Sequence, residues 1–240
     1  MTESLKIEQQ DRVWTFTLAR AHKRNALDDE LVQALTEGVD QAHARGADML
    51  VFQGQGTNFC AGFDFTGFDQ ASHGDLLLRF VRIEQLLQKI DASSALTVGL
   101  AQGKNFGAGV DLLVACKHRV CSQDASFRMP GLKFGLVLGT RRLAHLIGAA
   151  NTRTVQQSAQ TLNAQRALAL GLVNELKDPS DWLGVIQEQG QQAQALAPEA
   201  RAALYRVLHR SDEQADLAEL VQSAAASGLK QRIAHYRASQ

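Results

Sequence analysis

Short apolar runs of strand length alternate with helical patterns along the 240-residue chain, and this alternation constrains the fold more than any other feature. Residues 47–54 (ADMLVFQG) and 95–103 (ALTVGLAQG) are largely apolar and end at glycine, which is typical of buried strands. Residues 13–20 and 118–123 predict two further strands. Residues 76–90 have the apolar spacing of a helix. The sequence therefore predicts an α/β fold.

The last third of the chain is predicted to be mainly helical. Helical patterns dominate from Thr140 onward, with one helix that ends at Gly171 and a short strand after it. The tail, residues 198–240, is rich in alanine and leucine and has no strand signal. We therefore expect a core over residues 1–190 and an all-helical region over residues 191–240.

Composition argues against nucleic-acid and membrane partners. Lysine plus arginine (25) equals aspartate plus glutamate (25), whereas proteins that bind phosphate backbones or anionic membranes usually carry a basic excess. Cys60, Cys116 and Cys121 form no CxxC pair, which argues against a zinc site and a disulfide framework. The N-terminus lacks a signal-peptide pattern, and no apolar run reaches membrane-spanning length. We expect a cytoplasmic protein.

Two glycine-rich segments share one design. FCAGFDF (residues 59–65) and NFGAGVDLL (residues 105–113) each follow a predicted buried strand and place small residues before an acidic one. Small residues leave backbone N–H groups approachable, and a following helix adds its positive dipole end. Two such N–H groups that converge on one oxygen would form an oxyanion hole. Taken singly, each segment is more typical of a packing turn between strand and helix.

Dinucleotide binding is a second interpretation of the later segment. Gly107 and Gly109 follow a strand, and Asp124 follows the next strand, as in part of a Rossmann fingerprint. The third glycine position of that fingerprint holds Leu112, so the pattern is incomplete. The remaining fragment is weak evidence for a nucleotide site.

Four stretches together resemble the crotonase (enoyl-CoA hydratase/isomerase) superfamily, and they cover nearly the whole chain in order. The resemblance implies a crotonase-like spiral of ββα units with a C-terminal helical region that covers active sites or joins subunits. It also implies homotrimers or dimers of trimers and an acyl-CoA thioester substrate, with no separate cofactor because coenzyme A is part of the substrate. The stretches are HKRNAL (22–27), GQGTNFCAGFDF (54–65), AQGKNFGAGVDLLVACKHRVCSQDASF (101–127) and LNAQRALALGLVNEL (162–176).

The resemblance assigns catalytic roles to three residues. The backbone N–H groups of Phe63 and Ala108 match the family's oxyanion donors, which hold the thioester oxygen while an enolate develops. Asp111 follows Ala108 by one helical turn, where hydratases of the family carry a glutamate and dienoyl-CoA isomerases an aspartate. A carboxylate there can transfer the proton beside the carbonyl. The alternative for Asp111 is a structural aspartate that caps a helix or forms a salt bridge.

The resemblance also implies a path for coenzyme A along the corner of residues 23–27 and the first glycine segment. Lys23 or Arg24 would lie near the phosphates, although two basic residues on a loop are more often simply solvated. The implied substrate-binding residues are Lys23, Arg24, Ala26, Leu27, Ala61, Gly62, Asp64, Gly107 and Gly109.

The chain departs from the family at both positions where a second acid is expected. Gly131 stands where hydratases carry their second glutamate, and Gly139 stands at the second acid position of the dienoyl-CoA isomerases. Isomerisation or related enolate chemistry with a single acid is therefore favoured over standard hydration. The main alternative is a non-catalytic protein that binds CoA thioesters. Other ionisable residues could replace the missing acid, namely Asp64, Asp69, His73, Asp75 and Glu84.

Overall fold

The computed structural model describes residues 4–239 and confirms the predicted α/β fold. A six-stranded main sheet and a three-stranded small sheet are surrounded by helices. The strands are β1 (Leu5–Gln10), β2 (Val13–Leu18), β3 (Met49–Gly54), β4 (Leu96–Ala101), β5 (Lys104–Phe106), β6 (His118–Cys121), β7 (Ser126–Arg128), β8 (Leu162–Asn163) and β9 (Glu175–Leu176). The helices are α1 (Asp29–Ala44), α2 (His73–Asp91), α3 (Ala108–Val114), α4 (Thr140–Ile147), α5 (Ala149–Ser158), α6 (Ala164–Leu170), α7 (Trp182–Gln194), α8 (Pro198–Leu208), α9 (Glu213–Ala225) and α10 (Leu229–Ala238).

The main sheet has the order β1-β2-β3-β4-β6-β9. The first two strands pair antiparallel, and every later pair is parallel. In the small sheet, β5 pairs parallel with β7, and β7 pairs antiparallel with β8. Because β3 and β4 are parallel neighbours, their carboxyl ends lie at the same edge of the sheet. The two glycine-rich segments therefore begin side by side.

Side chains from both faces of the main sheet are buried, which explains why its central strands are apolar throughout. Leu50 and Phe52 of β3 belong to the larger core cluster, which includes the apolar faces of α1 and α2. Met49 and Val51 of the same strand belong to a second cluster, with Trp182 and other side chains of α7. Alternate residues of one strand thus enter opposite cores.

Local signals account for the helix ends. Of the two aspartates that could cap α1, Asp28 does so, because its carboxylate accepts a hydrogen bond from the Leu31 N–H at 2.9 Å. Ser72 and Asp75 form a reciprocal capping box at the start of α2. Gly171 ends α6 in the left-handed conformation (φ 80°), which confirms the predicted stop.

The C-terminal helices fold back onto the rest of the same chain. Arg201 of α8 is 3% exposed, and its guanidinium contacts the Asp48 carboxylate at 2.7 Å. Helix α9 packs on α2, and Tyr236 of α10 packs against Phe134 with ring centroids 5.3 Å apart. Helix α7 runs through residue 190, and the division of the chain at 190/191 stays a prediction. No helix within residues 4–239 is long and apolar enough to cross a membrane.

Candidate active site

The two glycine-rich segments touch each other backbone to backbone. An ideal Cβ at Gly62 would lie 2.2 Å from the Phe106 carbonyl oxygen, and one at Gly109 would lie 2.1 Å from the Cys60 carbonyl oxygen. No real Cβ makes such contacts, so any larger residue at these two positions would force the segments apart. These glycines therefore fix the distance between the two segments.

Two backbone N–H groups remain without partners where the segments meet. Leu27 and Phe63 form a single parallel bridge, which uses the Gly62 carbonyl and the Asp64 N–H. That pairing turns the Phe63 N–H away from Leu27. Ala108 is the first residue of α3, where an N–H has no acceptor within the helix. Within residues 4–239, neither of these two N–H groups donates a hydrogen bond.

A cavity of about 270 Å³ lies against these two residues, and an open groove lies next to it. Ala61, Phe63, Phe65 and Phe106 line both spaces, so the cavity and the groove meet at the first glycine-rich segment. The cavity wall is mostly apolar and aromatic, with Phe63 and Phe80 stacked at 4.4 Å between centroids. Its polar side chains are those of Asp111, Arg128, Gln156 and Tyr236.

Asp111 lies on the cavity wall with no ion pair. Its side chain is buried, and within the described chain its Oδ1 has no hydrogen-bond partner. Burial raises the pKa of Asp111 well above its ordinary value, because the charged form loses its hydration; the Arg142 guanidinium opposes this shift and Glu84 adds to it. The structure shows neither the cap nor the salt bridge that a purely structural aspartate would make.

A buried ion pair lies behind Asp111. Arg142 of α4 contacts both carboxylate oxygens of Glu84 on α2, with one Nη1–Oε1 distance of 2.9 Å. Both side chains are at most 2% exposed. Burial lowers the pKa of Arg142, but Glu84 more than offsets this and raises that pKa above its usual value. Because Glu84 neutralises Arg142, the charge on Asp111 is not fully compensated.

Both glycines at the second-acid positions lie close to this site. Gly131 lines the cavity and contributes no side chain there. Gly139 has φ 62°, and an ideal Cβ on it would lie 2.0 Å from Asp111 Oδ1. Glycine at position 139 therefore leaves the space that the Asp111 carboxylate occupies.

The substitute acids considered from sequence are engaged elsewhere or exposed. Asp64 accepts hydrogen bonds from Thr66 and pairs with Arg20; these contacts outweigh the opposing effect of burial and lower its pKa to about 2. Glu84 is held by Arg142. The other three do not line the cavity: Asp75 caps α2, His73 is exposed, and Asp69 lines the groove. Among residues 4–239, the cavity wall has one carboxylate, that of Asp111.

The residues expected along the coenzyme A path divide into two groups. One group lines the groove or the cavity directly. Leu27, Gly62 and Gly109 instead lie behind the surface, where Leu27 is 1% exposed and the glycines hold the two segments together. The lining group consists of Lys23, Arg24, Ala26, Ala61 and Asp64 in the groove and Gly107 in the cavity.

Two other chemistries find no support in this part of the chain. Burial raises the pKa of the Cys60 thiol to about 12, so this cysteine is not a ready nucleophile. Residues 4–239 contain no cluster of histidine, cysteine and acidic side chains that could hold a metal ion.

Sequence reasoning missed Arg142 and Gln156. Arg142 pairs with a glutamate 58 positions earlier, and no local pattern indicates that contact. Gln156 lies in α5 with Thr152 and Val155, the three buried positions of that helix. The spacing of these three residues is the available signal, because it places a glutamine on an inward face.

Comparison with known proteins identifies the family. The enoyl-CoA hydratase/isomerase family model matches residues 8–239. A crystal structure of an assigned enoyl-CoA hydratase/isomerase from Bordetella parapertussis is 51% identical, with a TM-score of 0.97 and 99% of each chain covered. A relative from Mycobacterium tuberculosis that carries the name enoyl-CoA hydratase echA6 is 37% identical over 186 residues, which cover 75% of this chain and 74% of the relative.

The chain belongs to the enoyl-CoA hydratase/isomerase (crotonase) family, and its fold is the α/β crotonase fold with C-terminal helices. It is an enzyme of that family, as the resemblance of its sequence motifs predicts. The relatives carry names for more than one reaction. A Δ(3,5)-Δ(2,4)-dienoyl-CoA isomerase of Dictyostelium discoideum, for example, is 26% identical over 196 residues, covering 75% of this chain and 67% of the relative.

Proposed function

We propose that this enzyme binds an acyl-CoA thioester with its carbonyl oxygen between the N–H groups of Phe63 and Ala108. The observation that carries the proposal is the position of Asp111, the one carboxylate on the described cavity wall, one helical turn after Ala108. Two unused donors and one carboxylate on the same cavity suit a reaction in which the oxygen gains negative charge while a proton moves.

The reaction favoured by this arrangement is a double-bond shift. Asp111 removes a proton from C2 of a 3-enoyl-CoA, and the electrons form an enolate that the two N–H groups stabilise. Asp111 then returns the proton to C4, which gives the 2-enoyl-CoA with no other reactant. A positioned acid–base group contributes about 10²–10⁴ in rate, and one oxyanion donor contributes roughly 2.7–4 kcal/mol.

Hydration of a 2-enoyl-CoA is disfavoured because it needs a second group to hold and activate water. Gly131 lines the cavity where the family's hydratases place that group, and it carries only a hydrogen atom. Related enolate chemistry with a single acid, such as decarboxylation, fits the same cavity. A non-catalytic CoA-thioester-binding protein is the second candidate, favoured by the missing acid at Gly131.

The groove supports binding of the coenzyme A portion. Lys23 and Arg24 are exposed along it, and Arg237 of α10 lies over the Phe68 ring at 5.2 Å on the same groove. These cations can contact phosphates without losing much hydration, while the acyl chain enters the apolar cavity beyond Phe63. The match to the family supports this use of the glycine segments over dinucleotide binding.

A panel of acyl-CoA substrates tests the function. We expect purified enzyme to convert 3-hexenoyl-CoA to 2-hexenoyl-CoA, because this step needs only Asp111 and the two donors. We expect crotonyl-CoA hydration to be at least about 10²-fold slower than isomerisation, the factor typical of one missing acid–base group. Absorbance of the conjugated thioester follows both reactions. Fast hydration would contradict the preference, and tight binding without turnover of any substrate would favour the non-catalytic candidate.

We further propose that the enzyme is a homotrimer or a dimer of trimers. Helix α8 exposes Leu204, Val207 and Leu208, of which Val207 is 77% exposed, and Leu183 of α7 is 65% exposed. The first three follow helical spacing and form one apolar stripe, a surface that a second copy of the chain would cover. Light scattering at micromolar concentration should give a mass of three or six chains. Val207→Glu should lower that mass, and a strictly monomeric wild-type protein would contradict the proposal.

A further inference from the structure

Gln156 is a polar residue of the cavity wall that the proposed chemistry does not use. It lies on the inner face of α5 and is 6% exposed. The surrounding wall is largely apolar, including Leu136, Leu138 and Phe134. An amide in such surroundings costs stability unless its polar atoms have partners. The partners that Gln156 has, and those that it lacks, therefore indicate what the cavity binds.

One end of this amide has a protein partner and the other end is open. The Thr140 hydroxyl donates to Gln156 Oε1 at 3.1 Å. Within residues 4–239, Nε2 makes no hydrogen bond, and it is not among the fully enclosed polar atoms that lack one. Because Gln156 lines the cavity, the Nε2 donors face the space that an acyl chain would enter.

Thr140 places this amide close to the reacting carbons. It directly follows Gly139, the residue whose backbone packs against the Asp111 carboxylate. The amide is therefore one hydrogen bond away from the segment that touches the proton carrier. A group bound by Nε2 would lie a few bonds from the thioester rather than at the far end of a long chain.

Arg128 brings positive charge to the same wall. Its Nε donates to the Ala159 carbonyl at 3.0 Å, just beyond the end of α5 and three residues after Gln156. Arg128 also lines the cavity. A cation beside unused N–H donors favours an oxygen atom of the ligand at this wall over a methylene group.

We propose that Gln156 is a specificity-determining residue that donates a hydrogen bond to an oxygen on the acyl chain, so that the preferred substrates are oxygen-substituted acyl-CoA thioesters. The inference rests on the proposed function, because it requires the acyl group to enter this cavity. One neutral hydrogen bond of this kind contributes about threefold to tenfold in affinity. A carboxylate oxygen gains more, since Arg128 lies nearby.

Matched pairs of acyl-CoA ligands test the inference by titration calorimetry. The pairs are 3-hydroxybutanoyl-CoA with butanoyl-CoA, 4-oxopentanoyl-CoA with pentanoyl-CoA, and 5-oxohexanoyl-CoA with hexanoyl-CoA. We expect wild-type enzyme to prefer the oxygenated member of at least one pair by about threefold to tenfold more than Gln156→Met does. Glutaryl-CoA, which has the shape of 5-oxohexanoyl-CoA, shows whether an anionic oxygen is favoured over a neutral one.

Two further variants separate recognition from a structural role. Gln156→Glu keeps the acceptor for Thr140 and removes both N–H donors, so it should also lose the preference. Gln157→Met changes the exposed neighbour on the same helix and should leave every ratio at the wild-type value.

The outcomes distinguish this inference from the proposed function. If the unsubstituted acyl-CoA ligands bind and all ratios are equal in wild type, Gln156→Met and Gln156→Glu, the inference is wrong and the proposed function stands. If none of the ligands binds the wild-type enzyme, the proposed function is wrong and the inference fails with it.

Discussion

Asp111→Asn is expected to lower kcat by about 10²–10⁴, the range for a positioned acid–base group. Acyl-CoA affinity should stay within a few-fold of wild type, because the donors of Phe63 and Ala108 belong to the backbone and the side chain keeps its size. Loss of kcat with retained binding identifies a group used mainly in the transition state. Steady-state kinetics and calorimetry measure the two quantities. Unchanged turnover would show that another residue moves the proton.

The same variant should be more stable than the wild type as pH rises. Burial raises the pKa of Asp111 in the folded protein above its value in the unfolded chain, so unfolding releases a proton in the pH range between these two values. Stability of the wild type therefore falls as pH rises through that range and is constant above it. Asparagine has no such titration, so the stability difference in favour of the variant should grow with pH and then level off.

An exposed aspartate provides the control for both measurements. Asp178 lines neither the cavity nor the groove, and its side chain caps no helix. Asp178→Asn should therefore leave kcat, affinity and the pH dependence of stability at their wild-type values. If Asp111→Asn unfolds the protein while Asp178→Asn does not, Asp111 has the structural role.

Glu84→Gln is expected to lower the free energy of unfolding by about 3–5 kcal/mol, the usual cost of breaking a buried ion pair. The substitution leaves the Arg142 charge without its bidentate partner, and the nearest remaining carboxylate oxygen, on Asp216, is 3.7 Å from Arg142 Nη1. Urea unfolding followed by circular dichroism gives the change from the midpoint and slope. A loss below about 1 kcal/mol would match an exposed pair instead and contradict this account of the buried pair.

An exposed pair and a double variant complete the test. Asp40 and Lys89 form an ion pair in which Asp40 is 57% exposed, so Asp40→Asn should cost less than about 1 kcal/mol. Glu84→Leu combined with Arg142→Met should destabilise the enzyme less than either single change. Two apolar side chains leave no buried charge, whereas each single variant leaves one.

The central strands and the two glycine segments were predictable because their signals are local. β3 and β4 are apolar on both faces and end near glycine, and the spacing between Ala108 and Asp111 is one helical turn in any sequence that forms α3. Contacts fixed only by tertiary packing were not predictable in this way. Glu84 and Arg142 meet across 58 positions, and neither neighbourhood indicates a partner.

The elements missed from sequence are short or lie at an edge. β1 is an edge strand with mostly exposed residues after Leu5, so its pattern is that of a polar segment. β8 has two residues and β5 has three, too few for any periodicity to be recognised. These strands form because their neighbours hold them, and β5 positions the second glycine segment.

Proton exchange at C2 of a saturated acyl-CoA tests the central claim most directly, because it reports enolate formation without any later step. Hexanoyl-CoA is incubated with enzyme in D₂O, and loss of the C2 proton signal is followed by NMR. We expect exchange with the wild type and a rate lower by about 10²–10⁴ with Asp111→Asn, while both bind the ligand. Equal exchange with both proteins, or none with a wild type that binds hexanoyl-CoA, would contradict the account.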